Sequence, residues 1–248
     1  MASKRFKKIF LYRFFIYFSI ITGIVMTLAQ FGPVLAVEFN YRLDQITGTK
    51  HQLANTVITS EGQTQIGEIG DPPAGGGVIA ESPVPQAQKG FGEIAAAENL
   101  IKPISTDFGL VIEKINANAR IVPQVDPGSE KEYTTALKEG IAQAKGSTDP
   151  GEDGNMFLFS HSTDAPWNIT RYNAIFYLLR ELVPGDRVIV FYKGRRFDYI
   201  VFDKTTSKPS DITFLTNRYD KPVLTLQTCD PPGTLLNRLI VRAKLAGS

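Results

Sequence analysis

Hydrophobic and polar positions divide the chain into three regimes. Phe14 to Val37 is a run of 24 residues without a charge, long enough to cross the hydrocarbon core of a bilayer as one helix. From Glu38 to about Lys102 apolar residues are scattered, and between Glu61 and Glu93 Gly, Pro, Gln and Glu take over. From Ile104 onward, short runs rich in Ile, Val and Phe alternate with turn-forming clusters, the pattern of a mainly β domain.

Within that last regime, Phe108–Ile115 and Ala119–Val125 read as strands split by Asn116-Ala117-Asn118, a hairpin signal. Leu137, Ile141 and Ala144 recur at helical spacing, which predicts a short helix over Tyr133–Ala144. Thr148–Asn155 is a turn cluster and Met156–His161 the next strand; Asn173–Leu182 reads as helical up to Pro184-Gly185. Arg187–Tyr192 and Phe197–Phe202 predict a hairpin around Lys193-Gly194-Arg195, and Asp203–Lys221 a polar loop. Val223–Cys229 is an apolar, β-branched strand, broken by Asp230-Pro231-Pro232-Gly233, and Asn237–Leu245 runs back. About eight short strands with one or two short helices predict a closed or nearly closed antiparallel barrel, which leaves few free edges.

Charge sets the frame for this domain. Lys4, Arg5, Lys7, Lys8 and Arg13 precede the apolar run with no acidic residue among them. This flank is expected to stay in the cytoplasm, placing the remaining chain outside. The rival reading is a signal peptide cleaved near Ala36, although the run exceeds a typical signal-peptide core. Gln30 and Pro33 weaken its end and predict an effective stop near Ala29. No second run of spanning length follows, so one anchor is expected. The division is therefore 1–13 basic tail, 14–37 transmembrane helix, 38–103 stalk and 104–248 β domain. Tyr41–Ser60, polar with scattered Leu, Ile and Val, has room for a short helix or strand, whereas Glu61–Glu93 cannot bury enough apolar surface to offset its ordering entropy. As a coil of ~60 residues the stalk would span on the order of 40 Å. A net charge of +2 over the chain argues against a nucleic-acid protein.

The chain has one cysteine, Cys229, so no intrachain disulfide forms. A lone cysteine is either a buried small hydrophobe or a reactive thiol. If Val223–Cys229 pairs antiparallel with Asn237–Leu245, Arg238 faces Cys229, and a permanent cation there favours a thiolate. Arg242 lies on the same face but ~13 Å further along the strand, and reads as a solvated surface charge. Of the two histidines, His51 falls in the stalk and His161 at the end of a β-domain strand.

Thr225-Leu226-Gln227-Thr228-Cys229, a Pro-containing turn and Arg238-Leu239-Ile240-Val241 resemble the signature of the sortase family, with Phe157-Leu158-Phe159-Ser160-His161 as the histidine strand. The likeness covers about Phe108–Leu245. Sortases are membrane-anchored cysteine transpeptidases of bacterial surfaces built on an eight-stranded β-barrel. The resemblance implies a triad of His161, Cys229 and Arg238, with His161 protonating the leaving amine and deprotonating the incoming one. Thr228 has two readings, a substrate hydrogen bond or a plain β-former. The family's substrates carry an LPXTG-like C-terminal sorting signal, and its acceptors are amines such as a peptidoglycan precursor or a pilin lysine.

The interval from Cys229 to Arg238 and the lack of a helix after the last strand point to the class D or E type. One branch of sortases binds calcium before the histidine strand, where this chain has Asp149, Glu152 and Asp153; a solvated loop explains these carboxylates equally, and no cofactor is otherwise expected. Some sortases carry an Asp-Pro-aromatic lid; here Pro73 follows Asp71-Pro72, which reads as a turn. Two rival functions stay open: a surface cysteine protease that hydrolyses the thioester with water, and a non-catalytic peptide-binding barrel.

Overall fold

The computed structural model describes residues 4–54, 57–58, 64–65, 100–162 and 175–247. The apolar run lies in α1 (Lys4–Thr47), which continues well past Val37. Short strands β1 (Gln52–Leu53), β2 (Val57–Ile58), β3 (Thr64–Gln65) and β4 (Leu100–Ile101) follow, with β1 pairing β4 and β2 pairing β3. The Gly/Pro-rich part of the stalk, Asp71-Pro72 included, lies outside the described residues.

The β domain is built from β5 (Phe108–Ile112), β6 (Ala117–Val125), α2 (Glu130–Glu139), β7 (Ile141–Ala144), β8 (Gly154–Phe159), β9 (Arg187–Tyr192), β10 (Arg195–Ser207), α3 (Thr213–Thr216), β11 (Pro222–Asp230) and β12 (Asn237–Leu245). The eight longer strands close into a barrel in the order β10-β12-β11-β8-β7-β6-β5-β9. Two of its pairings, β6 with β7 and β8 with β11, are parallel. The parallel β8–β11 contact is what positions the site described below.

Alternation along each strand divides the side chains between two faces. Leu110, Met156, Leu158, Leu224, Leu226 and Val241 point inward and form one core. Val111, Ile189 and Phe191 point outward and are covered by Ile101 and Leu53. The outer face at β6 and β7 is covered by α2, with Ala136 and Leu137 against Val125 and Ala142. The C-termini of β5, β8, β10 and β11 lie at one end of the barrel with the N-termini of β6, β7, β9 and β12. Phe176, Leu178, Leu179 and Leu182, just before β9, join the core at that end.

Several elements differ from the sequence expectation. The helix expected over Tyr133–Ala144 ends at Glu139, and Ile141–Ala144 is a strand. Gly140 makes the transition, where an added Cβ would collide with the Arg120 carbonyl oxygen. β10 extends five residues beyond Phe202 into the expected polar loop, held by pairing with β12. Lys193 (φ 49°) and Gly194 (φ 72°) both adopt the left-handed conformation of a two-residue hairpin turn. In the expected Asn173–Leu182 helix, the described part carries turns and one 3₁₀ turn, Leu179–Glu181.

The stretch after Val37 is ordered against the barrel. Val37 and Tyr41 of α1 pack on the core cluster, and Glu38 forms an ion pair with Arg180 at 2.6 Å. The Leu53 N–H donates to Glu113 Oε1 at 2.7 Å. Apolar residues too sparse to form a core of their own are thus placed against an existing one.

Candidate active site

Register brings the three candidate residues into one row. Cys229 on β11 lies directly opposite Arg238 on β12, so the two side chains project to the same face of the sheet. On the other side, β11 runs parallel to β8 with Gln227 beside Phe159. Carrying that register two residues on sets Cys229 beside His161. Two further hydrogen bonds extend the contact past the end of β8: the Ser160 N–H donates to the Gln227 carbonyl at 3.2 Å, and Thr228 Oγ1 donates to the Ser160 carbonyl at 2.9 Å. Neighbouring strands are ~4.8 Å apart, so this pairing sets the residues within side-chain reach of one another.

The row lies on the outer face of the barrel, because the residues that alternate with it, Leu158, Leu226 and Leu239, belong to the core. His161, Cys229 and Arg238 are all half-buried, sheltered yet reachable. The Arg238 guanidinium donates through Nη1 to the Asn237 carbonyl at 3.2 Å. Ser207 on β10 pairs with Arg238 and completes the row as a fourth member. Sequence reading missed it because Asp203–Ser207 has no apolar residue, and Thr205-Thr206 is its only strand signal.

Thr228 does not share this face. It is 4% exposed, and its hydroxyl is engaged by Ser160. Its placement ties the end of β8, and with it His161, to β11.

Further along the same face the chain between β10 and β11 folds over the sheet. Thr225 Oγ1 donates to Asn155 Oδ1 at 2.7 Å, and Asn155 Nδ2 donates to the Phe214 carbonyl at 2.9 Å. Arg242, expected as a solvated charge, is part of this cover. Its guanidinium contacts Asp203 Oδ2 through Nε (3.0 Å) and Nη2 (2.7 Å), and the Tyr219 hydroxyl through Nη1 (3.2 Å). It also lies over the rings of Phe202 (5.2 Å) and Phe214 (5.6 Å). The extension of β10 explains the difference, since it places Asp203 opposite Arg242.

The acidic loop before β8 is tied together internally. Asp149 accepts from the Tyr192 hydroxyl at 2.6 Å, and Glu152 Oε2 accepts from the Asp149 N–H at 3.2 Å. Among the described residues no three Asp, Glu, His or Cys side chains converge as a metal site, Asp153 included. A concavity of about 460 Å³ between α2 and β6, lined by Val122, Pro123 and Thr135 among others, does not include the row. His51 lies beyond the C-terminal end of α1, just before β1, with Nε2 3.1 Å from Asp44 Oδ2.

Comparison with known proteins bears on the whole domain. The family model described as "Sortase domain" matches residues 110–246. Among solved structures, sortase C-1 from Actinomyces oris is 26% identical, with a TM-score of 0.50 over 58% of this chain and 75% of that one. The Clostridium perfringens sortase D5 transpeptidase is 25% identical, with a TM-score of 0.47 over 63% and 88%. Sortase C1 from Streptococcus agalactiae is 29% identical, with a TM-score of 0.48 over 57% and 67%. A comparison with curated protein sequences finds no match. A family model that takes in β5 to β12, on an eight-stranded barrel of mixed pairing, leaves one conclusion: the chain belongs to the sortase family.

Proposed function

We propose that this sortase cleaves an LPXTG-like C-terminal sorting signal through a thioester on Cys229 and transfers the acyl group to an amine at the cell surface. The observation that carries the reading is the row His161, Cys229, Arg238 on three adjacent elements, set by the β8–β11 and β11–β12 registers. The Cys229 thiolate attacks a backbone carbonyl of the signal, in the family's pattern that of threonine, so that the peptide bond after it is the one broken. A C–S bond forms and the carbonyl oxygen carries negative charge, which the Arg238 guanidinium stabilises. Collapse breaks the C–N bond, and His161 gives its proton to the departing amine. An incoming amine, from a peptidoglycan precursor or a pilin lysine, loses its proton to His161 and displaces the thiol, regenerating Cys229.

Thr228 supports this chemistry from below the sheet as a positioning residue. Its bond to the Ser160 carbonyl fixes the backbone that bears His161. Arg238 follows Cys229 by nine positions, a spacing that supports placement with the class D or E type.

Anchoring follows from α1, in which Ile9–Ala29 has a mean hydropathy of 1.9 and is exposed along its length. With basic residues from Lys4 to Arg13 on the cytoplasmic side, the barrel lies outside the cell. The units are a basic tail (1–13), an apolar helical segment (14–37) that leaves the bilayer near Ala29, a linker (38–103) and the catalytic barrel (104–248).

The test is to incubate the chain with a library of sorting-signal peptides and an amine, reading the products by mass spectrometry. Transfer products, absent for Cys229→Ala and greatly reduced for His161→Ala and Arg238→Ala, are expected. Free acid alone would instead assign a cysteine protease, and no turnover of any peptide a binding barrel.

A further inference from the structure

The chain between the membrane span and the barrel is expected from its composition to behave as a tether, yet its first part is a strut. α1 runs without a break from Ile9–Ala29 to Thr47. Glu38, the first charged residue after Arg13, is ion-paired to Arg180 at 2.6 Å, and the Arg180 guanidinium lies 4.7 Å from the centre of the Tyr177 ring. Val37 and Tyr41 pack on the barrel core. His51 contacts Asp44 as the chain turns off the helix towards β1, and Leu53 is fixed to Glu113.

All of these barrel contacts belong to one end. Arg180 lies between β8 and β9, and Glu113 follows β5, so both sit where β8 and β11 finish and β12 begins. That is the end bearing Cys229.

Helix geometry sets the reach. From Ala29 to Tyr41 the rise is ~18 Å at 1.5 Å per residue. The headgroup layer outside the hydrocarbon core takes up roughly 5–8 Å of it. The docked barrel end, which begins at Val37, therefore lies within about 10 Å of the lipid headgroups. Two features of that end suit a lipid surface. Phe39 projects from α1 with 65% of its surface exposed, and Leu235 and Leu236 on the β11–β12 turn, next to Arg238, are 75% and 68% exposed.

We infer that the Cys229 end of the barrel rests against the outer membrane surface, with α1 as a rigid strut and the Leu235-Leu236 turn seated at the headgroup boundary. The inference rests on the reading that Ile9–Ala29 crosses the bilayer. Its consequence is a selection by depth. The enzyme takes sorting signals separated from their own membrane helix by a short linker, because the thiol is held at a fixed, small height above the lipid.

The test uses the full chain in lipid nanodiscs of phosphatidylcholine and phosphatidylglycerol, in a Cys229→Ala background. A single cysteine is introduced at Leu235 (Leu235→Cys) or at the far end of the barrel (Lys145→Cys) and labelled with a fluorophore. Quenching by nitroxide-headgroup lipid is then measured. The expected result is quenching at position 235 at least fivefold stronger than at 145. Arg180→Glu reduces that contrast, and adding Glu38→Arg restores it by reversing the ion pair. Equal quenching at the two positions, or none at either in protein still bound to the disc, overturns the inference and restores a flexible tether. Protein that fails to stay with the lipid overturns the anchoring itself, an outcome distinguished by whether protein and disc elute together.

Discussion

Replacing Arg242 with alanine separates a structural arginine from the one assigned to chemistry. The guanidinium holds Asp203 by two hydrogen bonds, reaches Tyr219 and lies over two phenylalanine rings. The ion pair is 24% and 33% exposed on its two sides, so solvent screening reduces it to about 1 kcal/mol, the upper part of the range for exposed pairs. The two ring contacts add on the order of 0.5 kcal/mol each at partly exposed sites. The total, about 2 kcal/mol, corresponds to a fall in Tm of roughly 4–8 °C for a chain of this size. Thermal unfolding of the detergent-solubilised chain, followed by circular dichroism, reads this directly. A double-mutant cycle with Asp203→Ala should return a coupling of about 1 kcal/mol. A solvated charge would instead stay within about 0.5 kcal/mol. A Tm change below about 1 °C, or no coupling to Asp203, would refute the assignment of Arg242 to the clamp.

Arg238→Ala should lower turnover by a factor on the order of 10² or more, as for loss of an oxyanion partner. Arg242→Ala should leave the rate within a few-fold; steady-state kinetics on a sorting peptide decides, and reversed effects would mean that the β11–β12 register is wrong. Thr228→Val removes the hydroxyl bond to Ser160 and should cost about 1 kcal/mol in stability. It should also lower kcat more than it changes KM, whereas a lost substrate contact would act mainly on KM. Burial raises the pKa of Tyr199, opposed by the N–H that Gly151 donates to its oxygen. The folded state therefore favours the neutral phenol; its contribution to stability is complete below the ordinary value near 10 and is lost as the pH rises through the higher folded value. Ultraviolet titration should show one tyrosine ionising only as the fold is lost.

The site was more legible in the sequence than the path leading to it. Two strands rich in β-branched residues joined by a proline turn set Cys229 opposite Arg238, because hairpin pairing follows from local signals. The pairing of β8 with β11 is parallel and joins residues far apart in the chain, so periodicity could not supply it; the family motif identified His161 instead. Thr228 points inward where its neighbour Cys229 points outward, as strand alternation requires; what local pattern could not supply is its partner on β8, the Ser160 carbonyl. Arg242 was misjudged because its partner, Asp203, lay in a stretch with no apolar alternation. Ile141 and Ala144 kept helical spacing but lie in a strand, since tertiary pairing with β6 and β8 overrides a weak local period. The docking of Val37 and Tyr41 left no local signal, as it depends on a core assembled more than sixty residues later.

The central claim is that Cys229 carries the acyl group, and intact-mass spectrometry of the reacted chain tests it most directly. With a cleavable sorting peptide and no amine, the enzyme should gain the mass of the N-terminal peptide fragment. Hydroxylamine should remove that mass, and an added amine should convert it to transfer product. Cys229→Ala, folded by circular dichroism, should gain nothing. An adduct that persists in Cys229→Ala, or peptide cleavage in that variant at the normal rate, would contradict the account, because the chain has no other thiol to carry the intermediate.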